Sequence, residues 1–183
     1  MMANSVRRNL VDQTAISALI RDVPDFPKQG IVFKDIAPLL SNPEGFQSSV
    51  DLLVEKVKVH GAEAIVGIES RGFIFGAAVA ARAGLGLELV RKPGKLPFKT
   101  RSVSYELEYG QDSVEIHRDA IIKERRYAIV DDVIATGGTA EAAGELVVGG
   151  GGVLACYAFL IELDFLEGRK KLGSAPVESI IHY

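Results

Sequence analysis

The chain has 183 residues, 48% of them hydrophobic and 25% charged, with a formal net charge of −3. That length and balance suit one domain whose core folds unaided, and so small a charge argues against a nucleic-acid or membrane surface. No stretch approaches the roughly 20 consecutive apolar residues that cross a bilayer. The opening MMANSVRRNLVDQ lacks a secretory h-region and the single Cys156 excludes an internal disulfide, so a cytoplasmic setting is expected.

In chain order, LVDQTAISALIRDV predicts an amphipathic helix, and PDFPKQGIVFKDIAPLL behind it is irregular and punctuated by proline. AEAIVGIE (62–69) predicts a buried strand, FIFGAAVAARAG (73–84) a helix and GLELVRK (86–92) a second strand. KPGKLPFKTR has no periodicity and predicts a long mobile loop of the kind that serves as a lid. In SVSYELEYGQDSVEIH, Val103, Tyr105, Leu107 and Tyr109 alternate with polar residues, and the pattern resumes at Val114 and Ile116 after GQDS, predicting a β-hairpin that projects from or covers the main sheet. RYAIVDD (126–132) and VLACYAFLIE (153–162) predict two more buried strands, with a helix over TAEAAGELVV (139–148) between them. Buried strands alternating with helices specify an α/β fold, a central and mostly parallel sheet flanked by helices. Four glycines, Gly149 to Gly152, stand where that helix hands over to the next strand, and the sequence offers no reason for more than one.

The chemistry is densest in AIVDDVIATGGTA, residues 128–140, which runs from a strand through a loop into a helix. Open α/β sheets bind ligands at that edge. Ala135, Thr136, Gly137, Gly138 and Thr139 can surround one phosphate with backbone N–H groups and hydroxyls. No lysine follows the glycines as in a Walker loop, and the G-x-G-x-x-G of a dinucleotide site is absent, so a single phosphate is expected. Asp131 and Asp132 could accept hydrogen bonds from vicinal ribose hydroxyls, or hold through water a Mg²⁺ already bound to a diphosphate. Arg91, Lys92, Lys95, Lys99 and Arg101 crowd into a basic stretch suited to an anion.

VDDVIATGGTA resembles the 5-phosphoribosyl 1-pyrophosphate (PRPP) motif of type I phosphoribosyltransferases. DFPKQGIVFKDIAPLL, GIESRGFIFG, RKPGKLPFKTRSVSYELEYG and LIELDFLEGRKKL resemble, in order and across nearly the whole chain, those that use adenine. The resemblance implies the type I phosphoribosyltransferase fold over 1–183, with a base-binding hood at about 1–40 and a lid loop and hairpin at about 96–117. It implies conversion of adenine and PRPP to AMP and pyrophosphate with Mg²⁺, in purine salvage, by a homodimer. Asp131 and Asp132 would bind the ribose, Ala135 to Thr139 the 5-phosphate, and Glu69, Ser70, Arg71 and Gly72, with Arg91, Lys92 and Lys95, the pyrophosphate. Val32, Phe33 and Lys34 would form the adenine pocket, with Leu163 on the other face of the base. Lys34 stands where some relatives have arginine, so a planar bidentate contact is not expected there. Tyr109 and Glu108 would belong to the lid, Glu108 as acid/base near N7 or N9 of the purine; Arg71, Asp131 and Asp132 complete the implied catalytic set. Two other readings are a phosphoribosyltransferase for hypoxanthine, guanine, xanthine or orotate, and a PRPP-sensing regulator without turnover.

Overall fold

The helix expected at the N-terminus gives way to a strand after little more than one turn. In the computed structural model, which describes residues 12–107 and 110–183, α1 spans only Gln13–Ser17, capped by the Asp12 carboxylate accepting from Ala15 N at 2.8 Å. Arg21–Pro24 forms strand β1, antiparallel to β2 (Val32–Asp35). Pro24 disfavours helix at Val23, and the ion pairs of Arg21 with Asp35 (2.5 Å) and Lys34 with Asp22 (2.7 Å) hold facing residues of the ribbon together. So short a helix has little stability of its own, and cross-strand pairing decides the conformation of Arg21 and Asp22. Phe26 packs edge-on against Phe33, ring centroids 5.2 Å apart. Helices α2 (Ala37–Ser41) and α3 (Pro43–Val59) follow, α3 opening where the Asn42 side chain accepts from Gly45 N at 2.9 Å.

The chain divides into two units, one to Ser49 and one from Val50 onward. In the second, the rest of α3 buries Val50, Leu53, Val54 and Val57, the spacing of a single helical face. There follow β3 (Ala64–Ile68), α4 (Gly72–Ala83), β4 (Gly86–Val90), the hairpin β5 (Thr100–Leu107) and β6 (Gly110–His117), then β7 (Arg126–Ile134), α5 (Gly138–Gly149) and β8 (Val153–Glu162). Two 3-10 turns, Asp164–Leu166 and Gly168–Lys171, lead to a final strand β9 (Val177–His182) that the sequence reading did not anticipate. The sheet has five strands in the order β4-β3-β7-β8-β9, every neighbouring pair parallel.

Alternate residues of β3 separate the two faces of the sheet. Ala64, Val66 and Ile68 join a core with Leu146 and Val147 of α5 and Tyr105, Val114 and Ile116 of the hairpin. On the other face, Gly67 allows α4 so close that a Cβ at Gly76 would lie 3.2 Å from Gly67 Cα. The hairpin therefore covers the sheet. It is tied to the end of β4 by paired backbone bonds between Arg91 and Glu115, at 2.9 and 2.8 Å.

The glycine run also finds its reason. Gly150 caps α5, and a Cβ there would meet Ile121 Cβ at 2.6 Å. One at Gly152 would meet Ile121 Cγ2 at 2.9 Å and the Tyr127 ring at 3.0 Å, while Gly151 takes φ +90°. Close approach excludes side chains at two of these positions and the left-handed backbone disfavours them at the third. Gly149 meets no such constraint.

Candidate active site

In strand order, β3 connects towards β4 on one side of the sheet while β7 connects towards β8 on the other. The crevice between the carboxyl ends of β3 and β7 is thus a topological switch point, where open α/β sheets place ligands. A cavity of about 360 Å³ opens there, lined by Ile68 to Arg71 after β3, by Lys92, and by Asp131 to Ala140 at the end of β7 and start of α5.

Its floor is acidic. Asp132 is 3% exposed, and Arg71 Nε lies 2.9 Å from its Oδ2, an ion pair that links the segment after β3 to the end of β7. That contact leaves Oδ2 without a hydrogen bond among the described residues. Asp131 Oδ1 accepts from Asp132 N at 2.8 Å. Burial, then the neighbouring Asp132 charge, pushes the Asp131 carboxyl well above the usual range, with Arg71 opposing. Burial also raises Asp132, against the pull of Arg71. Gly72 starts α4 directly over this pair, where a Cβ would stand 2.5 Å from Asp131 Oδ1.

One wall is the loop from Ala135 to Thr139. Gly137, at φ +83°, caps α5, and its backbone abuts that of Gly168 in the 3-10 turn after β8. A Cβ on Gly137 would fall 2.4 Å from Gly168 O, and one on Gly168 would fall 2.1 Å from Ala135 O. Amides at the start of α5 and the positive end of that helix make this wall suited to an anion.

The opposite wall is basic but internally neutralised. Glu69 does not stand as a free carboxylate: it accepts from Lys95 Nζ (2.6 Å), Lys92 N (3.0 Å) and Arg91 (3.4 Å). Burial works to raise its pKa, but these bonds outweigh it and hold the group down at about 2. Arg91 also donates to Lys95 O at 3.1 Å. Glu69, Ser70, Arg71 and Lys92 line the cavity, whereas Arg91 and Lys95 form a shell behind Glu69. The Glu69–Ser70 peptide is cis.

The remaining expected residues are placed less fully. Leu163, half-buried, follows β8 and donates its N–H to Ile134 O, a cavity residue, at 3.0 Å. Val32, Phe33 and Lys34 occupy β2 of the first unit, Val32 exposed and Lys34 paired with Asp22. Glu108 and Tyr109 lie outside the described residues. The sequence reading missed Gly168, whose contact with Gly137 could not be read from two segments so far apart, and Tyr105 and Asp112, discussed below.

The fit to Mg²⁺ can be judged from the donor set. Hard carboxylate oxygens beside the cavity, one of them without a hydrogen bond, suit a hydrated divalent ion. A second group, Glu162, Asp164 and His182, holds its possible ligand atoms within 4.8 Å of one another. There Arg169 (2.9 and 2.6 Å) and Ser179 (2.5 Å) already occupy Glu162. No helix among the described residues is long and apolar enough to cross a membrane.

Residues 38–162 match the phosphoribosyl transferase domain family. An adenine phosphoribosyltransferase from Anaeromyxobacter dehalogenans is 54% identical over 169 residues, covering 92% of this chain and 98% of that protein. The crystal structure of adenine phosphoribosyltransferase from Thermoanaerobacter pseudethanolicus superposes with a TM-score of 0.91 at 48% identity, covering 93% of this chain and 99% of that one. The Saccharomyces cerevisiae enzyme, solved with an imino-altritol bisphosphate and adenine, superposes at 0.86 with 44% identity over 92% of this chain and 97% of its own. With a switch-point cavity between an acidic pair and a glycine loop, and identity of this order over nearly its full length, the chain belongs to the adenine phosphoribosyltransferase family.

Proposed function

We infer that the chain transfers the 5-phosphoribosyl group of PRPP to adenine, releasing pyrophosphate and forming AMP. One observation carries the residue assignment: a carboxylate pair, a glycine loop at a helix N-terminus and the cations Arg71 and Lys92 line one cavity, with Arg71 paired to Asp132. PRPP carries the matching groups: ribose hydroxyls, a monophosphate and a diphosphate.

Ala135 to Thr139 receive the 5-phosphate, Asp131 and Asp132 the ribose hydroxyls, and Ser70, Arg71, Gly72 and Lys92 the pyrophosphate. Glu69, a carboxylate that would repel a diphosphate, contributes by holding Arg91 and Lys95 in place. Breaking the bond to pyrophosphate builds positive charge on the sugar ring, as in glycoside cleavage, and buried carboxylates stabilise that charge. Arg71 and Lys92 neutralise the departing diphosphate. Attack of adenine from the opposite face inverts the configuration at C1. Mg²⁺, when bound, offsets the diphosphate charge, and Asp131 and Asp132 would hold it through water.

Val32, Phe33 and Lys34, on a segment that would act as a hood over the base, are assigned to adenine together with Leu163. The Phe33 ring supplies a stacking face, while Lys34, already paired with Asp22, has the smaller part. Glu108 is assigned the purine proton and Tyr109 the lid. Ile74 on α4 and Leu89 on β4 leave apolar surface exposed, which supports a homodimer. The lone buried Cys156 thiol suits the reducing cytoplasm.

The test is incubation with PRPP, Mg²⁺ and each base in turn, following nucleotide and pyrophosphate. AMP from adenine, with at least 100-fold less product from hypoxanthine or guanine, is expected. Product from a 6-oxopurine alone would overturn the base assignment, and PRPP binding without turnover would favour a regulator.

A further inference from the structure

Tyr105 and Asp112 have no part in the substrate contacts above, yet they join the two walls of the cavity. They face each other across the hairpin, Tyr105 on β5 and Asp112 on β6. The Tyr105 hydroxyl lies 3.0 Å from Lys92 Nζ, 3.0 Å from Thr139 Oγ1 and 3.2 Å from Asp112 Oδ2. A phenol has one proton and two accepting lone pairs, so it accepts from Lys92 and Thr139 and donates to Asp112, and its capacity is full. Asp112 Oδ2 also takes the Lys92 ammonium directly, while its Oδ1 accepts from Ser113 N at 2.8 Å. The ring rests on the phosphate loop, where a Cβ at Gly138 would lie 3.1 Å from Tyr105 Cδ2. Lys92 Nζ stands 5.5 Å from the ring centroid.

Lysine has three ammonium donors. Two are used by Tyr105 and Asp112, which leaves one for a ligand in the cavity that Lys92 lines. Burial alone would lower the Lys92 pKa, but the bonds to Asp112 and Tyr105 outweigh it and keep the group charged. A flexible four-carbon stem is thereby ordered before any ligand arrives, and the same phenol fixes the Thr139 side chain.

We propose that Tyr105 is a positioning residue that couples the two phosphate-binding ends of the site, holding Lys92 for the pyrophosphate and, by accepting the Thr139 hydroxyl proton, anchoring Thr139 so that its backbone N–H serves the 5-phosphate, with Asp112 completing the clamp on Lys92. The inference rests on the assignment of those two ends above.

The experiment compares wild type, Tyr105→Phe and Asp112→Asn by steady-state kinetics, calorimetric titration with inorganic pyrophosphate and with AMP, and thermal melting. Losing bonds to a charged group predicts that Tyr105→Phe raises KM for PRPP and Kd for pyrophosphate about tenfold. KM for adenine should stay within about twofold. Asp112→Asn, which touches Lys92 but not Thr139, should weaken pyrophosphate while leaving AMP affinity unchanged. In a Lys92→Met background the pyrophosphate effect of Tyr105→Phe should largely vanish. Wild-type pyrophosphate affinity in both single variants would overturn the proposal. So would an equal rise of both KM values with a falling melting temperature, the sign of a merely structural phenol. If wild type made no AMP from adenine, the substrate assignment would fail, but the pyrophosphate titration would still decide the role of Tyr105.

Discussion

Asp131 and Asp132 put stability and catalysis in opposition. Burial and then the adjacent charge raise Asp131, so its folded pKa lies above its unfolded value and ionisation costs stability as pH rises through that range. Asp131→Asn keeps an oxygen for the Asp132 amide and removes the like charge. It should raise the melting temperature at pH 7 by about 2–4 °C, equivalent to about 1 kcal/mol for a chain of this size. It should also lower kcat/KM by about 100-fold, because a carboxylate facing the developing sugar cation is lost. Calorimetry and steady-state kinetics on one preparation check both signs; a lower melting temperature would mean that the carboxylate is structural. Asp131 and Asp132 were legible in the sequence because they are neighbours in it. The ion pair of Asp132 with Arg71 was not, since sixty residues separate the partners.

At the scale of elements, the phosphate loop depends on a turn that belongs to another part of the chain. Gly137 is shaped by its own left-handed backbone, but also by Gly168, which allows the 3-10 turn after β8 to lie against it. Gly168→Ala would put a Cβ 2.1 Å from Ala135 O, a backbone atom that cannot move without carrying the loop with it. The expected cost is about 1–3 kcal/mol of stability, with KM for PRPP rising more than KM for adenine. Thermal melting and substrate-varied kinetics check this, and a PRPP-neutral variant would dissociate the turn from the loop. Three of the four expected buried strands, β3, β7 and β8, were recovered as such because their apolar runs bury on both faces, whereas GLELV forms the edge strand β4 and only Val90 in it is buried. The helix expected over residues 10–23 was not recovered, because Pro24 and the antiparallel pairing of Arg21–Pro24 with Val32–Asp35 outweigh the local amphipathic pattern, the exposed ion pairs adding little.

For the whole molecule, several carboxylates stabilise the fold near neutral pH and make it sensitive to acid. Glu69 is held down at about 2 against its usual 4.5, because bonds from Lys95, Lys92 and Arg91 outweigh burial. Glu162 is lowered by Arg169, and Glu178 by Lys56 and His60. A folded pKa below the unfolded one stabilises fully above the unfolded value and is lost as pH falls through the folded one. Stability should therefore decline between about pH 4.5 and pH 2, visible as a falling urea midpoint. Glu69→Gln should start less stable at pH 7 and lose less on acidification; a parallel curve would show that Glu69 does not carry its share.

By itself the sequence determined the class of fold, the three central buried strands, the acidic pair, the glycine loop and the existence of the hairpin, since each depends on residues close together in the chain. Tertiary structure alone decided which strand ends meet at the switch point, and that Arg71 reaches Asp132. It also decided that Ile121 and Tyr127 exclude side chains at Gly150 and Gly152, and that Tyr105 joins Lys92 to Thr139. Those contacts are set by the order and packing of distant elements, and no local period or spacing encodes that order.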